Sequence, residues 1–393
     1  MPRSLWVYAL ACVVTRAGAQ QPDGAAARSA ADSAADSVAA KARRTPSASA
    51  VVDLVGDLSP QGSTQGDGTR IGVRQLEVAL QAALDTHVHG DVFVDLRGHR
   101  VSISEAYLAT TALPWGVHAR LGRFLMPVGA LNTTHRHDLH TVEYPYVVQK
   151  LMSDAGLGGT GLSVSRVFAP FGFTQELIVT WVDRFGEPVD SLRAPEPVNR
   201  YVDGMGYSAR LRNAWTVSRS SRLELAASAM TGKRPTSTGF TDATGLNAVN
   251  ARQTLAGTDF TWCWTAPEPA RHRSLLVQAE WMWQLNDRGW LVNPGAPGAP
   301  VIRDYDGGYV YARWQLARRL FAGGRWDSVR DPVAPAARLT AGATVLEWYP
   351  NGRSKFLATW EHRRTAARAG EDRLLLQASF ALGSHRWPRP AQD

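Results

Sequence analysis

The chain has 393 residues, 44% hydrophobic and 20% charged, with 43 lysines and arginines against 35 aspartates and glutamates for a formal net charge of +8. Two cysteines in such a length exclude a small disulfide-stapled domain, and beyond the N-terminal region no run approaches the roughly 18 apolar residues a membrane helix needs. Neither G-x-S-x-G nor H-E-x-x-H occurs, so the common hydrolase signatures are missing, and nothing in the chain calls for a cofactor or for nucleic acid.

The first element is "MPRSLWVYALACVVTRAGAQQ". Arg3 gives a positive start, Leu5 to Val14 an apolar stretch, and Ala17-Gly18-Ala19 a small-residue cleavage site. This pattern predicts a secretory signal over residues 1–19. A lipoprotein reading at Cys12 fits less well, because the cysteine comes too early and lacks a large apolar residue three positions before it. Cleavage after Ala19 removes Arg3, Arg16 and Cys12, leaving a basic chain with Cys263 alone and no intramolecular disulfide. Residues 20–49 are Ala/Ser/Asp-rich and cannot bury a core, so they read as a periplasmic linker.

From residue 50 to the end the hydrophobic period is two. Leu76, Val78 and Leu80 oppose Gln75, Glu77 and Gln81; Val92, Val94 and Leu96 oppose Asp91 and Asp95; Leu275, Val277, Trp281 and Trp283 oppose Gln278, Glu280 and Met282. Such alternation predicts about sixteen strands, near 50–58, 71–84, 87–97, 101–113, 115–124, 159–168, 172–183, 204–217, 221–231, 254–265, 273–285, 306–316, 320–329, 337–348, 354–364 and 371–382. If successive strands alternate direction, short turns ("DT", "LPWG", "APFG", "SRSS", "ARRL", "PNGR") fall on one rim and most long connections on the other. That sorting marks a transmembrane antiparallel β-barrel of the outer membrane; a soluble sandwich would have no reason to sort its loops by parity. The tryptophans agree: Trp215, Trp264, Trp314 and Trp348 fall at one set of strand ends, and Trp181, Trp283 and Trp360 at the other, as two interfacial girdles.

Lipid would then solvate the apolar faces, and the polar faces would line a passage for small solutes or ions. Glu77, Asp91, Asp95, Glu176, Arg210, Arg212, Glu224, Glu280, Arg313 and Arg325 are the expected pore-lining charges. Both signs occur, so an interstrand ion-pair lattice competes with ion selectivity as their role. The runner-up functions are a substrate-specific or metal-related uptake channel and, further off, a β-barrel or secreted enzyme. A plugged TonB-dependent receptor does not fit, because the N-terminal region has neither the length nor the core for a plug domain.

"EAYLATTALPWGVHARLGRFLMPVG" (residues 105–129) resembles the strand–turn–strand signature of the phosphate-selective porin O and P family, through Ala106, Tyr107, Leu108, Arg120, Leu121, Gly122, Phe124, Pro127 and Gly129. The resemblance implies a sixteen-stranded, usually trimeric outer-membrane channel with an inward-folded third loop, embedded among lipid and lipopolysaccharide. It departs from the family in lacking a lysine cluster for phosphate. The tail "GSHRWPRPAQD" after Phe380 also replaces the terminal aromatic that the outer-membrane assembly machinery reads.

Residues 125–158 form the third long connection, about 34 residues, and loops of that length are usually functional. Position and resemblance together predict a pore constriction built by this loop and the adjacent wall: Glu105, Arg120, Arg123, His135, Arg136, His137, Asp138, His140 and Glu143. Grouping of Arg120, Arg123 and Glu105 beside the loop would give a modest anion preference. His135, His137 and His140 are of metal-ligand type, although their spacing matches no established motif and the stretch reads as solvated.

Overall fold

The computed structural model describes residues 46–65, 68–98, 100–110, 113–152, 156–185, 205–233, 252–267, 272–289, 301–330, 338–365 and 370–387. The signal sequence and all but the last residues of the expected linker lie outside them. Sixteen strands follow in order: β1 (Ser47–Asp57), β2 (Ile71–Ala83), β3 (Val88–Arg97), β4 (Arg100–Thr110), β5 (Val117–Leu125), β6 (Gly158–Phe168), β7 (Thr174–Phe185), β8 (Gly206–Ser218), β9 (Ser221–Lys233), β10 (Arg252–Thr265), β11 (Ser274–Gly289), β12 (Val301–Ala317), β13 (Leu320–Arg330), β14 (Arg338–Asn351), β15 (Ser354–Arg364) and β16 (Glu371–Gly383). The first begins at Ser47, three residues before the end of the expected linker.

Each strand pairs antiparallel with its sequence neighbours, and β1 closes the ring on β16 in a register running from Ser49 opposite Gly383 to Asp57 opposite Leu375. Closure is what alternation of this length demands, since a lipid-facing edge would leave backbone N–H and C=O groups unpaired at several kcal/mol each. Among the described residues no helix is long and apolar enough to cross a membrane. One rim carries short connections, such as residues 219–220, 318–319 and 352–353. The other carries the long ones, with the tight β3–β4 turn as the exception.

Burial is inverted relative to a soluble protein. On β14, Trp348 is 49% exposed and its chain neighbour Glu347 1%. On β15, Phe356 and Trp360 are exposed while Lys355 and Glu361 are buried. The outer wall is apolar and the inside charged. Rings collect at the strand ends as the sequence suggests. Trp264 and Trp314 stack at 5.7 Å across Leu275 near the short-turn rim, where Trp348 stacks on Phe356 at 5.5 Å.

An arginine on that apolar wall tests this arrangement. Leu346, exposed near the middle of β14, should cost roughly 2–4 kcal/mol when changed to Arg if it meets hydrocarbon. Reversible urea unfolding from phospholipid vesicles measures this; a change within about 0.5 kcal/mol, the usual surface value, would place the face in water.

Candidate functional site

The barrel is not an open tube. In the connection between β5 and β6 the described residues, 126–152 and 156–157, turn inward and pack against the wall across the lumen as a plug. Its neck is tied by Asn132, which is fully buried. The Asn132 amide donates to the carbonyls of Met126 (2.7 Å) and Leu157 (3.0 Å), and its Oδ1 accepts from the Leu157 N–H (2.7 Å). Beyond the neck come a 3-10 turn (Arg136–Asp138) and a six-residue helix α1 (Tyr146–Leu151) starting after Pro145.

The plug brings an apolar core. Met126, Val128, Leu139, Val142, Tyr144, Val147, Val148, Leu151, Met152 and Leu157 join wall residues Val55, Val182, Met230, Leu255, Met282, Tyr309, Tyr311, Val345, Leu357 and Leu375 in one buried cluster. These wall residues come from β1, β7, β9–β12 and β14–β16, so the plug reaches across the whole cross-section. Full burial of each such side chain is worth roughly 1.5–3 kcal/mol and favours the docked loop against the cost of ordering it. Beside it a cavity of ≈ 90 Å³ remains, lined among others by His140, Thr141, Gln278, Tyr309, Tyr311 and Arg325.

Two glycines of the "RLGRFLMPVG" stretch explain how the plug starts. Gly122 has φ 138°, and a Cβ there would overlap the carbonyl oxygen of Ala106 on β4. Gly129 has φ 71°, and a Cβ would overlap the Glu280 carboxylate on the opposite wall. Backbone contact replaces side chains at that spot: the N–H groups of Gly129 and Ala130 donate to Ser228 Oγ (3.1 Å) and Glu280 Oε1 (3.2 Å).

Polar latches ring the plug. His135 lies between two carboxylates, Nδ1 at 2.7 Å from Glu77 and Nε2 at 3.1 Å from Glu105. Burial opposes its protonation, but the hydrogen bonds and charges of Glu105 and Glu77 outweigh that and hold its pKa well above the ordinary histidine value. His140 faces Glu347 (3.2 Å) and Arg313 (2.9 Å), and burial with the Arg313 charge lowers its pKa despite Glu347. Lys355 Nζ donates to the carbonyls of His137 and Leu139, and Arg325 to that of Glu143 (2.9 Å). Tyr146 donates from its N–H to Asp327 (3.0 Å) and from its hydroxyl to Glu361 (2.6 Å). Arg373 grips both oxygens of Glu143 near 3.1 Å, and Arg74 donates to the Val142 carbonyl at 2.5 Å.

The expected site residues therefore sort as follows. Glu105, His135, His137, Asp138, His140 and Glu143 lie in or against the plug, and Arg136 sits on its 3-10 turn near Glu143 and Arg74. Arg120 points inward over the rings of Tyr107 (5.6 Å) and Phe124 (5.4 Å). Arg123 is a correction: it falls on the strand parity of the exposed Leu121 and donates to the Ile103 carbonyl (3.0 Å), so no Arg120–Arg123–Glu105 cluster forms. The histidine triplet is a second correction. His135 is taken by Glu77 on β2 and Glu105 on β4, His140 by Glu347 on β14, and His137 is buried rather than solvated.

Of the expected lining charges, Glu77, Glu280, Arg313 and Arg325 contact the plug. Asp91 and Asp95 face inward near His89 (3.4 Å) and Arg97 (3.0 Å). Arg210 chelates Asp259 (2.7 and 2.9 Å), and Glu176, Arg212 and Glu224 form a half-exposed chain of pairs towards the short-turn end. Most of these charges pair with an opposite one, as in a lattice; Glu280 instead accepts from the Ala130 N–H. Asn132, Lys355, Tyr146 and Arg373 escaped the sequence reading; the partners that tie the last three across plug and wall lie at least 181 residues away in the chain, whereas those of Asn132 are within the same loop.

No protein-family model matches the chain, and no curated protein sequence matches it. Solved structures do. The outer membrane channel DcaP of Acinetobacter baumannii aligns at TM-score 0.52 and 12% identity, over 86% of this chain and 96% of that one. The anion-selective porin from Comamonas acidovorans aligns at 0.50 and 10%, over 86% and 99%. A loop L8 deletion mutant of OmpT, an outer membrane protein of Vibrio cholerae, aligns at 0.52 and 12%, over 86% and 99%. At such identities the likeness shows a porin-like barrel fold.

The Glu143 latch titrates. Burial raises its pKa, but the Arg373 charge and hydrogen bonds, with Arg136 and Arg74, overcome this and lower it to about 2 from the usual 4.5. A depressed carboxyl stabilises the docked plug above about pH 4.5 and loses that contribution as pH falls towards 2. Single-channel conductance should therefore rise on acidification over that window, and Glu143→Gln should raise it at neutral pH and flatten the acid response. Identical pH–conductance curves for the two proteins would exclude the latch.

Proposed function

We propose that the protein is an outer-membrane, porin-like channel for small polar solutes or ions, with the third loop as an internal plug that sets its resistance. The observation that carries this reading is the pairing of an apolar outer wall with a charged interior crossed by a single folded loop. Residues 1–19 act as export signal and 20–49 as periplasmic linker in this reading, which places the long-loop rim outside. The barrel sits among lipid and lipopolysaccharide, is inserted by the outer-membrane assembly machinery, and forms a homotrimer as kinship with the phosphate-selective porin O and P family would imply. Support for that kinship is confined to the 105–129 pattern, where Gly122 and Gly129 have a physical reason to be glycine. An anion preference rests on Arg120 at the loop's root; the paired charges elsewhere argue for weak selectivity.

The filled cross-section favours a second reading, a substrate-specific or metal-related uptake channel whose cargo displaces the plug. Such a channel would conduct poorly at rest and show saturable solute binding. Planar-bilayer recording on the folded protein and on a deletion of residues 132–150 addresses both. The deletion should raise conductance several-fold and broaden solute preference. Unchanged conductance and preference would refute a resistance-setting plug.

A further inference from the structure

The C-terminal tail adds a side chain to the plug. After β16 the chain turns back inside the short-turn end. There Trp387 is buried with Val51, Phe321, Tyr349 and Ala381, its backbone N–H donates to the Gly352 carbonyl (3.2 Å), and its Nε1 donates to the His137 carbonyl (3.4 Å). This fixes His385 over the loop's 3-10 turn, its ring 5.1 Å from that of His137 at 76°. His137 Nε2 lies 3.5 Å from Asp138 Oδ2, and His385 Nε2 lies 3.6 Å from Asp138 Oδ1. One donor atom from each residue falls within 4.8 Å of the others. Asp138 Oδ1 and His385 Nε2 are buried atoms without a hydrogen-bond partner, facing each other.

We propose that His137, Asp138 and His385 form a site for a transition-metal ion such as Zn²⁺, which fastens the third loop to the C-terminal tail inside the barrel. Two imidazoles and one carboxylate are a donor set suited to zinc. Metal–ligand bonds of about 2.0–2.1 Å in a tetrahedron place ligand atoms roughly 3.3 Å apart, so the three donors, now within 4.8 Å of one another, close in by side-chain rotation when the ion binds and leave a fourth position for water. The other nitrogen of His137 lies 3.9 Å from Glu77 Oε2, beyond hydrogen-bond reach, so the carboxylate adds negative charge beside the site while it pairs with His135. Lys355 opposes a cation in this region; Glu77 and Glu105, beside His135, offset it. Metal binding does not depend on whether the barrel conducts. Only its effect on plug release rests on the channel reading.

Calorimetric titration of metal-free, detergent-folded full-length protein with ZnCl₂ tests the site, with Co²⁺ absorption as a spectroscopic check on coordination. One saturable site per chain is expected, with intense visible bands for tetrahedral Co²⁺. Asp138→Asn, which keeps the shape of the side chain, and His385→Ala, beyond the last strand, should each weaken Zn²⁺ binding at least about tenfold. His87→Ala, in the exposed β2–β3 turn, should leave binding unchanged. Heat-modifiable gel mobility establishes that each variant has folded. Absence of a saturable Zn²⁺ heat, or wild-type affinity in both Asp138→Asn and His385→Ala, would overturn the site. Zn²⁺ binding with unaltered conductance would leave the site standing and remove its role as a fastener.

Discussion

The β1–β16 ladder is the constraint on which the rest depends. It joins the two ends of the strand sequence and leaves no open edge, so every strand can meet lipid with its backbone satisfied. Once closed, the wall has an inside, and side chains costly in hydrocarbon, such as Glu347, Lys355 and Arg373, find partners there. Sixteen strands also make that inside too wide for side chains alone to fill. The third loop fills it instead, and with it comes the plug's apolar core.

Two kinds of force hold the plug, and they differ in what can release them. The apolar cluster supplies most of the stabilisation and responds little to pH or salt. The latches at His135, Glu143, Tyr146 and His140 are charge-assisted and specific; they set orientation and can be weakened by protonation or a competing ion. A plug docked by contacts without covalent ties is compatible with a reversible gate.

Period-two alternation is a local signal, and so the strands were legible. All sixteen lie within a few residues of their expected positions, and Glu77, Asp91, Asp95, Arg210, Glu280, Arg313 and Arg325 face inward as their parity predicts. The inward third loop was expected from its length and place together with the resemblance over residues 105–129. Its interior was not: the three histidines drew attention to a polar stretch, while Val142, Tyr144, Val147, Val148 and Leu151 carried the apolar signal of a core. Metal-ligand grouping failed for a related reason. Histidines close in sequence went to carboxylates on different strands, and the side chain that approaches His137 and Asp138 is His385, about 250 residues later. Arg123 was misplaced because its neighbour Arg120 has the opposite strand parity.

Everything above requires the outer wall to lie in hydrocarbon. Tryptophan quenching by phospholipids brominated along the acyl chain reads this directly, since Trp283, Trp326, Trp348 and Trp360 are exposed on that wall while Trp387 is buried inside. The account predicts strong quenching of the folded protein's emission in such vesicles, reduced when the outward tryptophans are replaced by Phe. Emission as bright in brominated as in ordinary lipid would contradict it.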